Sequence, residues 1–303
     1  LLGAEELRDL LDPEVLDLLA SVLTGRLDPE VPAAKVVRAR VEQLTGPAMA
    51  KGKEDTAFYR ESRLVSRCEV GDDPFASGLD TMALHAALAQ LWSTHPRTMT
   101  ALSTHDTKRS EDVRARLSVL SELPERWRDA ARSWMDRTAQ LDPDGLVDAR
   151  TRYQLLQNLV GAHPIDADRL GEHALKSARE AKEATSWTRP DPAYEEALAA
   201  LVRTVCDDEL LCAAVTSLVE EDLDPPGRRT EVAQKVLQLM APGVADLYWG
   251  SEDRLHRLVD PDNRVPPALQ QLRGNLAAVR DAEVDPDGTQ AKLAAVSRVV
   301  ALR

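Results

Sequence analysis

Aromatic residues and cysteine are scarce in this sequence, and its basic residues are outnumbered by acidic ones, 38 against 51. Phe, Trp and Tyr together make up 4% of its 303 residues. Proteins that bind sugars usually stack them on aromatic rings, so each Trp and Tyr here carries more weight in a functional argument. The three cysteines, Cys68, Cys206 and Cys212, are odd in number and lack the spacing of a metal site, which is typical of a reducing cytoplasm.

The net charge of −13 argues against partners that are themselves polyanions, such as nucleic acids and anionic lipids. The densest basic stretch, residues 108–116, is interrupted by Glu111 and Asp112. No segment reads as a membrane span or as a signal peptide. We therefore expect no nucleic-acid partner and no membrane partner, and no residue pattern implies a metal or a cofactor.

Apolar residues recur at helical spacing through most of the chain. Pro and Gly stand between the periodic stretches, where they begin or end helices. The pattern predicts helices over 4–23, 31–44, 80–93, 108–121, 124–139, 149–161, 168–184, 191–204, 207–220, 228–240, 266–280 and 288–302.

Three short apolar segments predict buried strands, at 48–50, 99–103 and 244–248. Each is followed by polar residues, as in a β/α barrel, where functional groups lie just past the carboxyl end of a strand. Three strands do not close a barrel. Either the rest of a barrel is missing, or these segments are minor parts of a helical protein.

The first polar segment, residues 51–60, holds Lys51, Glu54, Asp55 and Tyr59. This mixture suits the wall of a polar cleft, because carboxylates accept hydrogen bonds from sugar hydroxyls, a lysine donates them and a ring stacks. The alternative is an exposed helix start, in which acidic residues favour the positive end of the helix dipole.

The second polar segment, residues 103–112, begins with His105 and Asp106 directly after a predicted strand. A carboxylate there could stabilise positive charge at an anomeric carbon, and the imidazole could bind a hydroxyl. The alternative is a helix start with Thr104 or Asp106 as N-cap. The pair is also incomplete, since glycoside chemistry requires two carboxylates.

Two later segments carry weaker signals. Tyr248 and Trp249 end a short strand, and they form either a sugar platform or core aromatics beside a turn. Residues 259–264 have the composition of a turn.

In this order, the polar segments resemble those of the maltooligosyl trehalose synthases, a family of the α-amylase clan. Residues 45–60 match that family's Thr-Gly-Pro-Val-Met-Ala-Lys-Gly-Val-Glu-Asp-Thr-Ala-Phe-Tyr-Arg except at Ala48 and Lys53. Residues 103–116 match the family pattern without a break. The resemblance spans residues 36–302, and the fourteen-residue run at 103–116 is its most specific part.

The resemblance implies an isomerase of trehalose biosynthesis, which converts the reducing-end α-1,4 link of a maltooligosaccharide into an α,α-1,1 link. Such an enzyme uses an Asp nucleophile, a Glu acid/base and a third Asp that stabilises the oxocarbenium-like state. Asp106 matches the third Asp, and His105 matches the His that contacts the same sugar ring. The other substrate-binding candidates, matched by motif, are Lys51, Glu54, Asp55, Tyr59, Lys108, Arg109 and Tyr248.

The motifs of the nucleophile and of the acid/base are not in this sequence, and in the family they precede the part that is matched. Residues 142–146 resemble the Pro-Asp-Gly-Leu after the family nucleophile, but they follow the His-Asp segment and predict a helix-connecting turn. The first residue is Leu1 and not Met. These observations predict a fragment whose partners are a maltooligosaccharide and the missing N-terminal barrel half.

Several residues depart from the family pattern near the expected sugar cleft. Trp249 stands where the family has Gln, and Asp253 and Arg254 stand where it has Leu and Trp. Further departures are Glu61 and Ser62 for Tyr and Asn, and Arg67 and Cys68 for Leu and Asn. One aromatic platform of the family is therefore absent from its usual place.

The predicted fold is α/β, a partial (β/α)8 TIM barrel that keeps its last strands, with large helical insertions and mostly helical overall. The expected domains are a barrel part with a helical lead-in at 1–120, a helical insertion at 121–240, and the last strand with its helices at 241–303. Open strand edges cost free energy, so we expect the isolated chain to aggregate. The alternative is a non-catalytic helical binding or assembly module derived from such a barrel.

Overall fold

The computed structural model describes residues 12–27, 31–76, 78–258, 265–280, 284–285 and 288–302. The chain divides into two compact units, Leu1–Asp55 and Thr56–Arg303. The beginning of the helix predicted at 4–23 and the turn predicted at 259–264 lie outside the described residues. The three-domain division at 1–120, 121–240 and 241–303 stays a prediction.

Helices make up most of the described chain. In the first unit they are α1 (Pro13–Leu23) and α2 (Pro32–Pro47), and a π-helical segment, Ala48–Ala57, continues α2. The second unit contains α3 (Phe58–Arg60), α4 (Thr81–Thr94), α5 (Glu111–Ser118), α6 (Pro124–Gln140), α7 (Ala149–Ala162), α8 (Ala167–Ala181), α9 (Pro192–Asp207), α10 (Glu209–Ser217), α11 (Asp224–Met240), α12 (Leu269–Arg280) and α13 (Ala291–Leu302). Short 3₁₀ turns at Val65–Arg67 and Val119–Ser121 and a π-helical turn at Leu218–Leu223 connect them.

Aspartate caps define where many of these helices begin. Helices α4, α7, α8, α9 and α10 each follow an Asp whose carboxylate accepts a hydrogen bond from a backbone N–H of the first turn. This interaction satisfies a donor that the helix itself leaves without a partner. The capping residues are Asp80, Asp148, Asp166, Asp191 and Asp208.

Two strands, β1 (Met99–Ala101) and β2 (Val244–Asp246), form a parallel pair. Thr100 lies opposite Ala245, so the strands end at the same edge of the sheet. Parallel strands need a long crossover connection, and here it consists of all the helices from α5 to α11.

The core lies among the crossover helices. Leu117, Leu156, Leu170 and Leu198 are almost fully buried in one apolar cluster that runs from α5 to α10. Its scarce aromatics pack on one another: the rings of Trp127 and Trp134 meet edge to face, with centroids 5.9 Å apart. The Trp127 indole N–H also donates to the Tyr153 hydroxyl (2.8 Å). These rings therefore stabilise the fold and are not exposed for stacking on a sugar.

The strand predicted at 48–50 is wrong, because these residues lie in the π-helical segment after α2. The helical backbone continues past Gly46 and Pro47 into this segment. A run of three apolar residues is too short to distinguish a strand from a buried turn of helix. The polar segment at 51–60 is therefore itself helical.

The other elements occur close to where the periodicity predicts them. The strand predicted at 99–103 is β1 and that at 244–248 is β2, and each ends two residues earlier than predicted. Helix α5 begins at Glu111 instead of residue 108. Among the described residues, no helix is long and apolar enough to cross a membrane. The described part of the chain is thus mostly helical, and the partial (β/α)8 barrel stays a prediction.

Candidate functional site

Two polar loops lie at one edge of the β1–β2 sheet. His105 and Asp106 follow β1, and Tyr248 and Trp249 follow β2. The parallel register places both loops at the carboxyl ends of the strands. In barrels and open parallel sheets, this edge is where ligands bind.

The loop that carries His105 and Asp106 is held by two threonines. The Thr107 hydroxyl donates to the Thr104 carbonyl (3.0 Å), and the Asp106 backbone N–H donates to the Thr104 hydroxyl (3.2 Å). The side chains of His105 and Asp106 are exposed. Ser110 is the N-cap residue of α5, so the alternative in which Thr104 or Asp106 caps this helix is wrong. The imidazole and the carboxylate thus face solvent beyond the strand.

The loop after β2 presents two aromatic rings. The centroids of Tyr248 and Trp249 lie 6.2 Å apart, and the ring planes meet at 76°. Tyr248 is half-buried, whereas Trp249 is 44% exposed. The backbone of Trp249 has φ 40°, a conformation that is uncommon for a bulky residue. Such conformations persist where the surrounding structure enforces them, often at functional sites.

Lys108 and Arg109 are buried beneath the His-Asp loop. The Glu69 carboxylate accepts hydrogen bonds from the backbone N–H groups of Lys108 (2.9 Å and 3.0 Å) and Arg109 (3.0 Å). The Arg109 guanidinium donates to the Asn158 amide oxygen (2.8 Å) and to the Val65 carbonyl (3.2 Å). These contacts fix the base of the His-Asp loop to α7 and to the 3₁₀ turn at Val65–Arg67.

Tyr59 lies beside Lys108 in the same layer. The Lys108 ammonium is 5.1 Å from the centroid of the Tyr59 ring and 5.9 Å from that of Phe58, within the range of a cation–π interaction. Both rings are buried. A direct contact of Tyr59, Lys108 or Arg109 with substrate stays a prediction, and their contacts show that they support the loop.

Lys51, Glu54 and Asp55 belong to the first compact unit. They lie in the π-helical segment, where Lys51 forms an ion pair with Asp55 one turn later. Lys51 is exposed, and Glu54 and Asp55 are half-buried. Their part in substrate binding stays a prediction.

A clamp formed by Gln238 joins the ends of the two strands. Its amide nitrogen donates to the carbonyl of Thr100 (3.0 Å) and to that of Asp246 (2.8 Å). Its amide oxygen accepts from the Lys235 ammonium (3.0 Å). Gln238 thus fixes the relative position of β1 and β2 immediately before the two loops.

Lys235 connects this clamp to the helix that follows the His-Asp loop. Its ammonium lies 2.7 Å from the Glu111 carboxylate and 3.4 Å from the Ser251 hydroxyl. Glu111 is bonded in turn to Ser103, whose hydroxyl accepts from the Glu111 backbone N–H (3.0 Å). Lys292 from α13 binds Glu111 (2.9 Å) and Asp112 (2.7 Å). This cluster connects both polar loops with α5, α11 and α13.

A second polar group extends the cluster along α11. Glu231 accepts hydrogen bonds from Arg254 (2.6 Å) and from His256 Nε2 (3.1 Å), and Arg116 lies 3.3 Å from His256 Nδ1. Burial lowers the pKa of His256 to about 4, so the ring is neutral. Burial acts to raise the pKa of Glu231, but the bonds from His256 and Arg254 lower it to about 2.

Sequence reasoning missed Lys235, Gln238 and Lys292. The sequence does contain one indication of this cluster. Polar residues recur every three or four positions in α11, at Glu231, Lys235 and Gln238, so they share one face of the helix. That spacing is also typical of a solvated helix face, and only the packing shows that this face is buried. No group of three His, Cys, Asp or Glu side chains with the geometry of a metal site occurs in the part of the chain that the structure describes.

Comparison with known proteins shows which proteins this chain is similar to in sequence and fold. A Mycobacterium tuberculosis protein provisionally named maltooligosyl trehalose synthase is 38% identical over 279 residues, which cover 89% of this chain and 34% of that protein. A variant of the maltooligosyltrehalose synthase from Arthrobacter ramosus superposes with a TM-score of 0.80 at 40% identity, over 96% of this chain and 37% of that one. This chain is a relative of the maltooligosyl trehalose synthases. The expected resemblance is confirmed.

The likeness extends to a more distant member. The hypothetical maltooligosyl trehalose synthase of Sulfolobus tokodaii superposes with a TM-score of 0.78 at 27% identity, over 90% of this chain and 37% of that one. No family model matches the sequence. The chain spans about a third of the length of the curated relatives that it matches.

Proposed function

We propose that this chain is the C-terminal part of a maltooligosyl trehalose synthase and acts in trehalose biosynthesis. It supplies the last strands of a (β/α)8 barrel with its helical insertions, and one wall of the sugar cleft. The remaining barrel strands, with the Asp nucleophile and the Glu acid/base, are supplied by polypeptide that this sequence does not include. The substrate is a maltooligosaccharide.

The reaction is an intramolecular transfer with retention. The nucleophile displaces the reducing-end glucose as the acid protonates its O4, and a glycosyl–enzyme forms. The released glucose turns, and its C1 hydroxyl attacks the anomeric carbon while the same Glu removes the proton. The α-1,4 bond is replaced by an α,α-1,1 bond, and no water is consumed.

Asp106 carries the part of this chemistry that we assign to the chain. Positive charge develops at the anomeric carbon in both steps, and a fixed carboxylate nearby stabilises it. His105 binds a hydroxyl of the same ring. The supporting observation is the parallel register, which brings this exposed pair to the same edge as Tyr248 and Trp249.

The test is a complementation assay. The purified chain is incubated with maltopentaose, alone and with the part of the Mycobacterium tuberculosis relative that precedes the aligned region. We expect loss of reducing ends without loss of total glucose only in the mixture. The Asp106→Asn variant keeps the shape of the side chain but removes its charge, so the mixture should lose activity by several orders of magnitude.

Two outcomes would contradict the proposal. Activity of the chain alone would mean that it holds catalytic carboxylates other than Asp106. A mixture that binds together but leaves the reducing ends unchanged would remove the synthase assignment.

An apolar groove supports a second candidate, a helical assembly module without turnover. Trp92, Met240, Pro242 and Leu302 line a cavity of about 400 Å³ near the amino ends of the strands. Trp92 and Leu302 are largely exposed there, and such apolar surfaces are typical of protein contacts. This candidate predicts that the mixture forms a complex and that maltopentaose binds to neither component nor to the complex.

A further inference from the structure

A cleft of about 140 Å³ is lined by the loop after β2 and by the segment where α12 begins. Its lining does not include His105 or Asp106. Its lining includes Trp249, Asp253, Arg254, Arg257 and Gln271. One wall is therefore an indole ring, and the others carry planar groups that donate and accept hydrogen bonds. The volume of the cleft is close to that of one hexose unit.

The aromatic wall is held in an unusual backbone conformation. Trp249 has φ 40°, and the next residue, Gly250, has φ 89°. A Cβ atom at Gly250 would lie 3.0 Å from Pro267, so the backbone passes close to the segment before α12. Glycine at position 250 accommodates both this close approach and the positive φ, and the turn presents the 44% exposed indole to the cleft.

The polar wall is partly fixed by internal bonds. Asp253 accepts from the Arg254 backbone N–H (2.8 Å) and from the Asn275 amide (2.7 Å). A carboxylate has about four acceptor sites, so Asp253 can accept two more hydrogen bonds. The Arg254 guanidinium is already bound to Glu231 (2.6 Å).

Arg257 is the donor that this cleft leaves for a ligand. Its backbone N–H donates to the Ser110 hydroxyl (3.1 Å), which anchors the residue at the start of α5. Its side chain is half-buried, and no ion pair joins it to another described residue. A guanidinium presents several N–H groups in one plane, which suits a pair of neighbouring hydroxyls.

We propose that this cleft is a subsite for one glucosyl unit of an α-glucan, with the sugar face on Trp249 and its hydroxyls bonded to Arg257 and Asp253. The inference rests on the proposed function, because Trp249 on the cleft wall follows β2 at the sheet edge where Asp106 follows β1. A neutral polyhydroxylated ligand fits better than an anion, since Glu231 balances the charge of Arg254 and Asp253 balances that of Arg257.

The test is a titration of the chain with maltopentaose. Tryptophan fluorescence at sub-micromolar protein concentration, where aggregation is limited, follows the wild-type chain, and competition dialysis with radiolabelled maltopentaose measures the affinity of every variant, including those without the Trp249 ring. Trp249→Phe keeps a ring and should retain most of the affinity while removing most of the signal change. Trp249→Ala and Arg257→Met should each weaken binding roughly tenfold, as the loss of one stacking contact or charged hydrogen bond predicts. Circular dichroism confirms that each variant is folded.

Trp187→Ala is the matched control. Trp187 is also exposed and also lies beside an arginine, with Arg179 4.7 Å from its ring centroid, but it is outside the cleft. It should leave the affinity unchanged. Equal binding by the wild-type chain and Arg257→Met, or a response to inorganic phosphate with none to maltopentaose, would overturn the inference.

The inference and the proposed function fail in different ways. If the complemented mixture has activity but Trp249→Ala and Arg257→Met leave KM for maltopentaose unchanged, the subsite is wrong and the synthase assignment stands. If both variants lose sugar binding but no mixture changes the reducing ends, the subsite stands and the synthase assignment is wrong.

Discussion

The ammonium of Lys235 lies 2.7 Å from the carboxylate of Glu111, and neither side chain is accessible to solvent. Removing one partner of a buried pair leaves the other charge without compensation, which typically costs about 3–5 kcal/mol. We expect Lys235→Met to lower the free energy of unfolding by about that amount, although Lys292 still contacts Glu111. Urea denaturation followed by circular dichroism measures it.

The control for this variant is Arg128→Met. Arg128 pairs with Asp129 at 3.4 Å on the surface, where ion pairs contribute little. Its unfolding midpoint should match that of the wild type. Equal midpoints for Lys235→Met and Arg128→Met would show that the buried cluster does not stabilise the fold.

The Gln238 clamp gives a second prediction. Gln238→Met removes both hydrogen bonds to the strand carbonyls and should accelerate amide exchange in residues 99–103 and 244–248, since the strands then open more readily. Gln234→Met is the control: Gln234 lies one turn earlier on α11 and donates to the Glu111 carbonyl (3.0 Å), and among the described residues it forms no hydrogen bond to either strand. Hydrogen-exchange mass spectrometry should show faster strand exchange in the first variant alone.

The neutral His256 predicts a dependence of stability on pH. Burial lowers its pKa from 6.5 to about 4, so between these values the unfolded chain binds a proton that the folded chain does not. The stability associated with the neutral ring is present above pH 6.5 and is lost as the pH falls towards 4. The loss is at most about 3 kcal/mol.

His256→Asn separates this effect from other titrating groups. Wild type and variant share all other carboxylates and histidines, so the difference between their unfolding free energies reports on His256. We expect this difference to shrink between pH 6.5 and pH 4. A difference that is constant with pH would show that His256 titrates normally in the fold.

Gly161 allows a close approach of α5 and α7. A Cβ atom there would lie 2.9 Å from side-chain atoms of Leu117 and Val113. Gly161→Ala should therefore destabilise the fold by about 1–3 kcal/mol through overpacking. Gly171→Ala in α8 meets Val202 at 3.9 Å and should be neutral or stabilising, because alanine favours helix. Melting temperatures that rank the variants in the reverse order would contradict this packing.

The isolated chain should associate with itself. Met99 and Val244 in the strands, with Trp92 and Met240 nearby, are more than half exposed. Apolar side chains on a small sheet with open edges favour contact with another chain. Light scattering should show growth with concentration and incomplete recovery after heating. A sharp, reversible thermal transition would count against this expectation.

Local signals in the sequence predict much of this fold. Periodicity predicts the helices because each one buries a single face, and the Asp caps and prolines indicate where several begin. The two real strands are followed by the matched motifs, so His105, Asp106 and Tyr248 could be located at strand ends. The resemblance to the synthases depends on these same residues.

The sequence does not predict interactions that depend on tertiary packing. Lys108 and Arg109 look like exposed cations in a polar segment, yet the fold buries both against Glu69 and the Tyr59 ring. Residues 48–50 have an apolar composition that suits a strand or a helix, and the preceding helix determines the outcome. No local sequence pattern predicts the clamp by Gln238, because its acceptors are backbone carbonyls of two strands that are far apart in sequence.

The parallel pairing of β1 and β2 also constrains how the chain folds. The strands are separated by all the helices from α5 to α11, so their contact closes a very long loop. Local helices form sooner than contacts of such sequence separation. The helical region should therefore fold first, and the strands should meet last, which makes the edge that bears Asp106 the final part of the molecule to be assembled during folding.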